Sequence, residues 1–193
     1  MDRKKKQSIG IFILISIVIP VAVHALKAEA TVKAKTLIAV SVPARIIIPT
    51  ARLNTNVISV GITKEGKLDV PKNYVEAGWY KYGTVPGKIG SAVIDGHVDN
   101  GGKIPGPFKH LRLVKPGDNI YIIMNDGQFL HYSVLSADVY DTDKFPGEEV
   151  FHESGKAYLK IITCHGKFIP SIKNYDQRLI VEAVLVSEKT FSI

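Results

Sequence analysis

The sequence predicts an all-β fold, a closed barrel or a tightly wound sandwich of about eight strands. Three observations carry that prediction. Short β-branched and aromatic runs recur along the chain, among them RIIIP, SAVIDG, NIYIIM and RLIVEAVLV. Turn signals such as Pro86-Gly87, Pro116-Gly117 and Asn125-Asp126-Gly127 separate them. Beyond the first part of the chain almost no stretch sustains a helical period.

The first part is different. Residues 1–7, MDRKKKQ, form a basic tail, and Ser8 to Leu26 contains no Asp, Glu, Lys or Arg. Nineteen residues at a helical rise of ~1.5 Å span ~28 Å, about the hydrocarbon thickness of a bilayer. Residues 8–26 are therefore expected to be a transmembrane anchor, with the basic tail cytoplasmic and the rest outside. A cleaved signal peptide is the alternative, since Ala28-Glu29-Ala30 fits a small-residue cleavage site. Residues 27–43 read as an extracellular stem and 44–193 as the folded domain.

Charge supports this division. Of 25 Lys and Arg and 18 Asp and Glu, residues 1–50 hold eight basic and two acidic side chains. The remaining 17 and 16 nearly cancel, so the domain carries no phosphate-binding field and no nucleic-acid partner is expected. No Gly-rich phosphate loop lies between a strand and a helix.

The strands follow in order. RIIIP from Arg45 and LNTNVISVGI from Leu53 are the first two, and Leu68 to Pro71 is a short edge segment, where proline is tolerated. EAGWYKYG at 76–83 is expected to plug the core under a turn, and SAVIDGH runs as a strand into His97. Residues 99–108 are a Gly/Pro loop, and 110–114 one helical turn. NIYIIM and QFLHYSVLSADVY form a hairpin about Asn125-Asp126-Gly127. Residues 142–154 are a polar loop with room for a short helix. YLKIITCHG then reads as a buried strand that breaks at Gly166, residues 167–175 as a loop, and RLIVEAVLVS as the closing strand opened by Arg178.

Three side chains stand out chemically. Cys164 is the single cysteine, and an unpaired cysteine in an exported chain is either a small core residue or a reactive thiol. A thiolate needs a neighbouring imidazole or guanidinium at neutral pH. His97, at a strand end beside a loop, can serve as that base, or be a hydrogen-bonded structural histidine. Arg178 can offer a permanent charge and oxyanion donors, or form a surface ion pair. His165 is adjacent to Cys164 but, on a strand, faces the other way. His110, His131 and His152 read as structural or exposed. Zinc held by His97, Asp99, Cys164 and His165 is disfavoured, because the spacing matches no paired-ligand motif.

These motifs resemble the sortases, membrane-anchored cysteine transpeptidases of Gram-positive-type cell surfaces. The resemblance spans Arg45 to Val186 and rests on three strand-end motifs. SAVIDGHVD is similar to the family's catalytic-histidine strand, Ile162-Thr163-Cys164 to its cysteine strand, and Arg178-Leu-Ile-Val to the arginine opening its last strand. Gly78-Trp79-Tyr80 followed by Pro86-Gly87 looks most like classes E and F.

The resemblance implies an eight-stranded sortase-type β-barrel with one or two short helices behind the anchor. It implies that Cys164 attacks the Thr–Gly bond of an LPXTG-like sorting signal on a surface protein, with His97 as acid and base and Arg178 as oxyanion stabiliser. A cell-wall precursor or pilin amine then resolves the acyl-enzyme. It implies no cofactor, and without an acidic cluster like the calcium site of some class A members, no metal. His165-Gly166 departs from the small or hydroxyl residues of many relatives. Two alternatives stand beside it. One is an L,D-transpeptidase-like cysteine acyl transferase, which keeps an arginine about two residues beyond its cysteine, where this chain has Lys167 and Phe168 after Gly166. The other is a non-catalytic surface binding module.

Overall fold

The computed structural model describes residues 41–151 and 155–190. The expected tail, anchor and nearly all of the stem lie outside the described residues, as does His152. Among the described residues no helix is long and apolar enough to cross a membrane.

Eight strands close into a barrel. They are β1 (Pro43–Ile48), β2 (Leu53–Val60), β3 (Ala77–Tyr80), β4 (Gly90–Gly96), β5 (Asn119–Met124), β6 (Gln128–Asp141), β7 (Ala157–Ile169) and β8 (Asn174–Thr190). Their order round the barrel is β1-β2-β3-β4-β7-β8-β6-β5. β2 with β3 and β4 with β7 are parallel; every other pair is antiparallel. Closure leaves the β-rich sequence without a free sheet edge. Among the described residues the helical content is small: two 3₁₀ turns, Leu111–Leu113 and Thr142–Lys144, and a short α-helix, Gly147–Phe151.

Alternation decides what lies inside. Ile46 and Ile48, Ala92 and Ile94, Ile120 and Ile122, Leu159 and Ile161, and Leu179 and Val181 point inward with Trp79 and Tyr132. Tyr132 is fully buried, yet its hydroxyl accepts from Gly87 N–H at 2.7 Å. The outer face of β4, β7 and β8 is covered too: Val93, Ile162 and Ile180 pack with Val150 of the short helix, Tyr80, Phe145 and Phe151. Burial on both faces is why LKIIT reads as a nearly continuous apolar run rather than a clean alternation. Lys160, nearly buried on that outer face, pairs with Glu182 on β8.

Four local expectations are corrected. Ala77–Tyr80 is a strand rather than a plug under a turn, although Trp79 is core. Leu68 makes an isolated bridge to Ile62, too short for an edge strand. The cysteine strand does not end at Gly166 but bulges there and runs on to Ile169, so residues 167–175 are mostly hairpin and Arg178 lies within β8. The bulge sets two residues, Gly166 and Lys167, against Asp176 alone. Gly166 has φ +80, and a Cβ there would meet Asp176 Oδ1, which instead accepts from Lys167 N–H at 2.7 Å.

Ile161, wholly buried at the centre of β7, gives a direct test of the barrel core. Ile161→Ala is expected to lower unfolding free energy by about 2–5 kcal/mol, read as a reduced midpoint in urea with an unchanged slope.

Candidate active site

The parallel register of β4 and β7 ends with Gly96 opposite Thr163, and Cys164 on β7 lies opposite Arg178 on β8. His97 follows Gly96 as Cys164 follows Thr163. The three side chains expected to carry the chemistry thus form one row across three neighbouring strands. All three line one cleft of roughly 1260 Å³, with Tyr74, Asp95 and Phe168 also in its wall. Sites for small ligands hold roughly 300–1,000 Å³, so this cleft has room for several residues of an extended peptide. His165, opposite Gln177, is not part of the cleft wall, as strand alternation requires.

Each member of the row is held. Thr163 Oγ1 donates to Gly96 O at 2.8 Å, pinning the end of β4 to β7 one residue before His97 and Cys164. His97 Nε2 is 2.9 Å from Pro71 O. A carbonyl only accepts, so Nε2 carries a hydrogen, and Nδ1 is the ring nitrogen left to exchange a proton. Tyr74 stacks on the ring at 4.4 Å. Arg178 Nη1 donates to Tyr175 O, Gln177 O and Thr142 Oγ1, and Nη2 to Asn174 Oδ1. Its hydrogen-bond partners are neutral, so it is not spent on a carboxylate ion pair, and its charge remains available to the cleft.

Asp99, in the loop after β4, accepts Tyr175 Oη–H at 2.6 Å, together with the N–H groups of Gly101 and Gly102. Burial pushes its carboxyl up, but these bonds and Lys109 at 3.9 Å outweigh it and hold the group below the usual aspartate range. The Tyr175–Asp99 bond ties the histidine loop to the start of β8 across β7. The bulge at Gly166 sets Phe168 opposite Tyr175, and the two rings lie 5.3 Å apart in the cleft wall.

The thiol is neutral at rest. Burial raises the Cys164 pKa; the Arg178 charge lowers it, and Asp99 and Asp95 oppose that help. The row therefore holds a protonated sulfur that needs a base to become a nucleophile. Asp95 is the more unusual group. It is 5% exposed, its Oδ1 has no hydrogen-bond partner, and burial together with Asp69 pushes its carboxyl up to about 8.

Sequence reasoning did not single out Asp95 or Tyr175. The signal for Asp95 is present: it is the one charged residue of SAVIDG, on the face of Val93 and His97. Tyr175 carries no such signal, since only the bulge and the tertiary fold bring it to Asp99. Among the described residues no group of three or more His, Cys, Asp or Glu is arranged to hold a metal. Of the other histidines, His131 bonds Asn119 at 2.7 Å and stacks near Tyr121, and His110 precedes the first 3₁₀ turn.

Comparison with known proteins agrees with this architecture. Residues 46–186 match the sortase domain family. Similar solved structures include sortase A of Listeria monocytogenes, 18% identical with TM-score 0.58, covering 78% of this chain and 91% of that one. The lid mutant of sortase A from Corynebacterium diphtheriae is 25% identical with TM-score 0.59, covering 76% and 70%. Sortase C of Streptococcus pneumoniae is 24% identical with TM-score 0.56, covering 77% and 68%. No curated protein matches the chain. The chain belongs to the sortase family, and it is a cysteine transpeptidase acting on peptide bonds.

Two titrations follow from the electrostatics. Because Cys164 is the single cysteine, iodoacetamide labelling followed by intact mass reports it alone. Its alkylation is expected to rise with pH later than an ordinary thiol, and later still in Arg178→Gln, slowing labelling at pH 7.5 several-fold. For Asp95 the folded pKa lies above the unfolded one. The folded chain therefore binds the extra proton between about pH 4 and 8, and stability from this group falls as pH rises through that window. Asp95→Asn removes the loss. Its unfolding free energy relative to the parent is expected to improve by more than about 1 kcal/mol between pH 5 and pH 8.

Proposed function

We propose that Cys164, His97 and Arg178 perform the acyl transfer, on an LPXTG-like sorting signal cleaved between Thr and Gly. The observation that supports the reading is the register that sets the three in one row along the wall of a peptide-sized cleft. Cys164 Sγ attacks the threonine carbonyl while His97 takes the thiol proton, so no free thiolate need accumulate. The carbonyl oxygen becomes an oxyanion beside the Arg178 guanidinium. As the intermediate collapses, His97 gives its proton to the glycine nitrogen, the C–N bond breaks and a thioester remains on Cys164. An acceptor amine then attacks the thioester carbonyl and gives a proton to His97. The C–S bond breaks and the sulfur recovers that proton.

The acceptor is a cell-wall precursor or pilin amine, and the donors are surface proteins carrying the signal. Residues 8–26 anchor the enzyme in the membrane as a single pass, with residues 44–193 outside. Gly78-Trp79-Tyr80 with Pro86-Gly87 favours classes E and F for this chain.

Incubating the full-length chain with a Leu-Pro-x-Thr-Gly peptide is expected to add the acyl fragment to its intact mass, and hydroxylamine to release it. Cys164→Ala forms no adduct, and His97→Ala and Arg178→Ala acylate at least about 100-fold more slowly. An adduct with a peptidoglycan stem peptide but none with the sorting peptide overturns the assignment.

A further inference from the structure

Asp95 is a carboxyl that the acyl transfer does not use. It lies on β4 two residues before His97, on the same face, and lines the same cleft. Ile162 of β7 is beside it on one side and Gly78 of β3 on the other. The site is shaped for it: a Cβ on Gly78 would stand 2.5 Å from Asp95 Oδ1 and 2.8 Å from Val60. Any larger residue at 78 would force the carboxyl out. Yet Oδ1 is buried without a partner. A valine or alanine would pack on this outer face, beside Val93 and Ile162, without that cost. The acid is thus an unsatisfied group kept at a cleft wall.

The charge that bears on it is a second acid, Asp69, from the segment whose Pro71 carbonyl holds His97. A carboxyl with an unpaired oxygen in the wall of a peptide-sized cleft, with the charge of a second acid bearing on it, is complementary to a cation with N–H donors. We infer that Asp95, backed by Asp69, forms a subsite for a primary ammonium group on the substrate, one row along the strands from Cys164. In the empty cleft Asp95 keeps its proton, so no lone charge is buried. When the ammonium enters, that proton passes to solvent, and the carboxylate gains the charged donor it lacks. Adjacent rows along a strand are about 6.6–6.8 Å apart. The ammonium therefore lies within about two residues of extended peptide from the carbonyl at Cys164. It belongs either to a lysine in the sorting signal or to a second amine on the acceptor.

This subsite rests on the acyl transfer assigned to Cys164, and the test separates the two. The full-length chain is given donor peptides carrying lysine or norleucine in turn at each position on the acyl side of the scissile bond, with one monoamine acceptor. In a second series one donor is resolved by 1,5-diaminopentane or by pentylamine. The cationic member of one series is expected to show kcat/KM at least about tenfold higher. Asp95→Asn is expected to bring that ratio to within about twofold of one, and Asp69→Asn to reduce it partway. A preference among donors places the ammonium on the signal, and one among acceptors places it on the incoming amine; either supports the subsite. Ratios near one in both series of the parent enzyme overturn it, and so does a preference that survives in Asp95→Asn. Ratios near one in the parent overturn the subsite without any variant, and Asp69→Asn tests the assignment if Asp95→Asn fails to fold. If sulfur chemistry proceeds with every donor and every acceptor alike, only the subsite fails. If no peptide adds mass to Cys164, the transfer and the subsite fail together.

Discussion

The bond from Thr163 Oγ1 to the carbonyl of Gly96 closes the last rung between β4 and β7. It is buried, so its loss would leave a desolvated carbonyl as well as a loosened strand end. It also stands one residue before both His97 and Cys164. A slip of one residue in either strand would turn that strand's side chain to the other face. The antiparallel partner β8 completes the row, because Cys164 and Arg178 are directly opposed. The site therefore needs no long loop to assemble it; the end of β4, two positions within β7 and β8 and one hydroxyl are enough.

Around that row the protein balances charge against burial. The thiol is raised by burial, lowered by Arg178 and raised again by Asp99 and Asp95. The result is a neutral sulfur beside a histidine whose Nε2 is committed to Pro71 O. A raised pKa also makes the thiol less prone to oxidation, which follows thiolate character and exposure. In the same cleft wall burial pushes the Asp95 carboxyl up, whereas Asp99, held below the usual aspartate range, remains a charge that bears on the sulfur.

The outer apolar layer matters as much as the barrel interior. Val93, Ile162 and Ile180 are covered by Val150, Phe145, Phe151 and Tyr80, and several of these residues also form the cleft. The cleft is thus the part of that layer left open, with polar groups at the catalytic end and apolar walls beyond. The Tyr175–Asp99 bond closes its other flank. Two segments distant in sequence are thereby fixed to the same three-strand platform.

The strands were legible because period-two patterns and Gly/Pro turns are local properties of the chain: RIIIP, SAVIDG, NIYIIM and the Asn125-Asp126-Gly127 hairpin all fall where the sequence predicts. His97, Cys164 and Arg178 stood out as residue types with useful chemistry, and the resemblance supplied their grouping, although Cys164 and Arg178 lie within their strands rather than at the ends. The bulge was not, because Gly166 ends a strand as readily as it kinks one, and only the pairing with Asp176 distinguishes the two. Trp79 likewise joined a strand because β2 lay parallel to it, a contact that nothing local encodes. By itself the sequence determined which segments are strands and which side chains have useful chemistry, since both depend on neighbours within a few residues. Only the tertiary structure decided the β4–β7–β8 register, the burial that keeps Cys164 and Asp95 neutral, and the meeting of Tyr175 with Asp99. Those depend on which distant strands exclude water from one another.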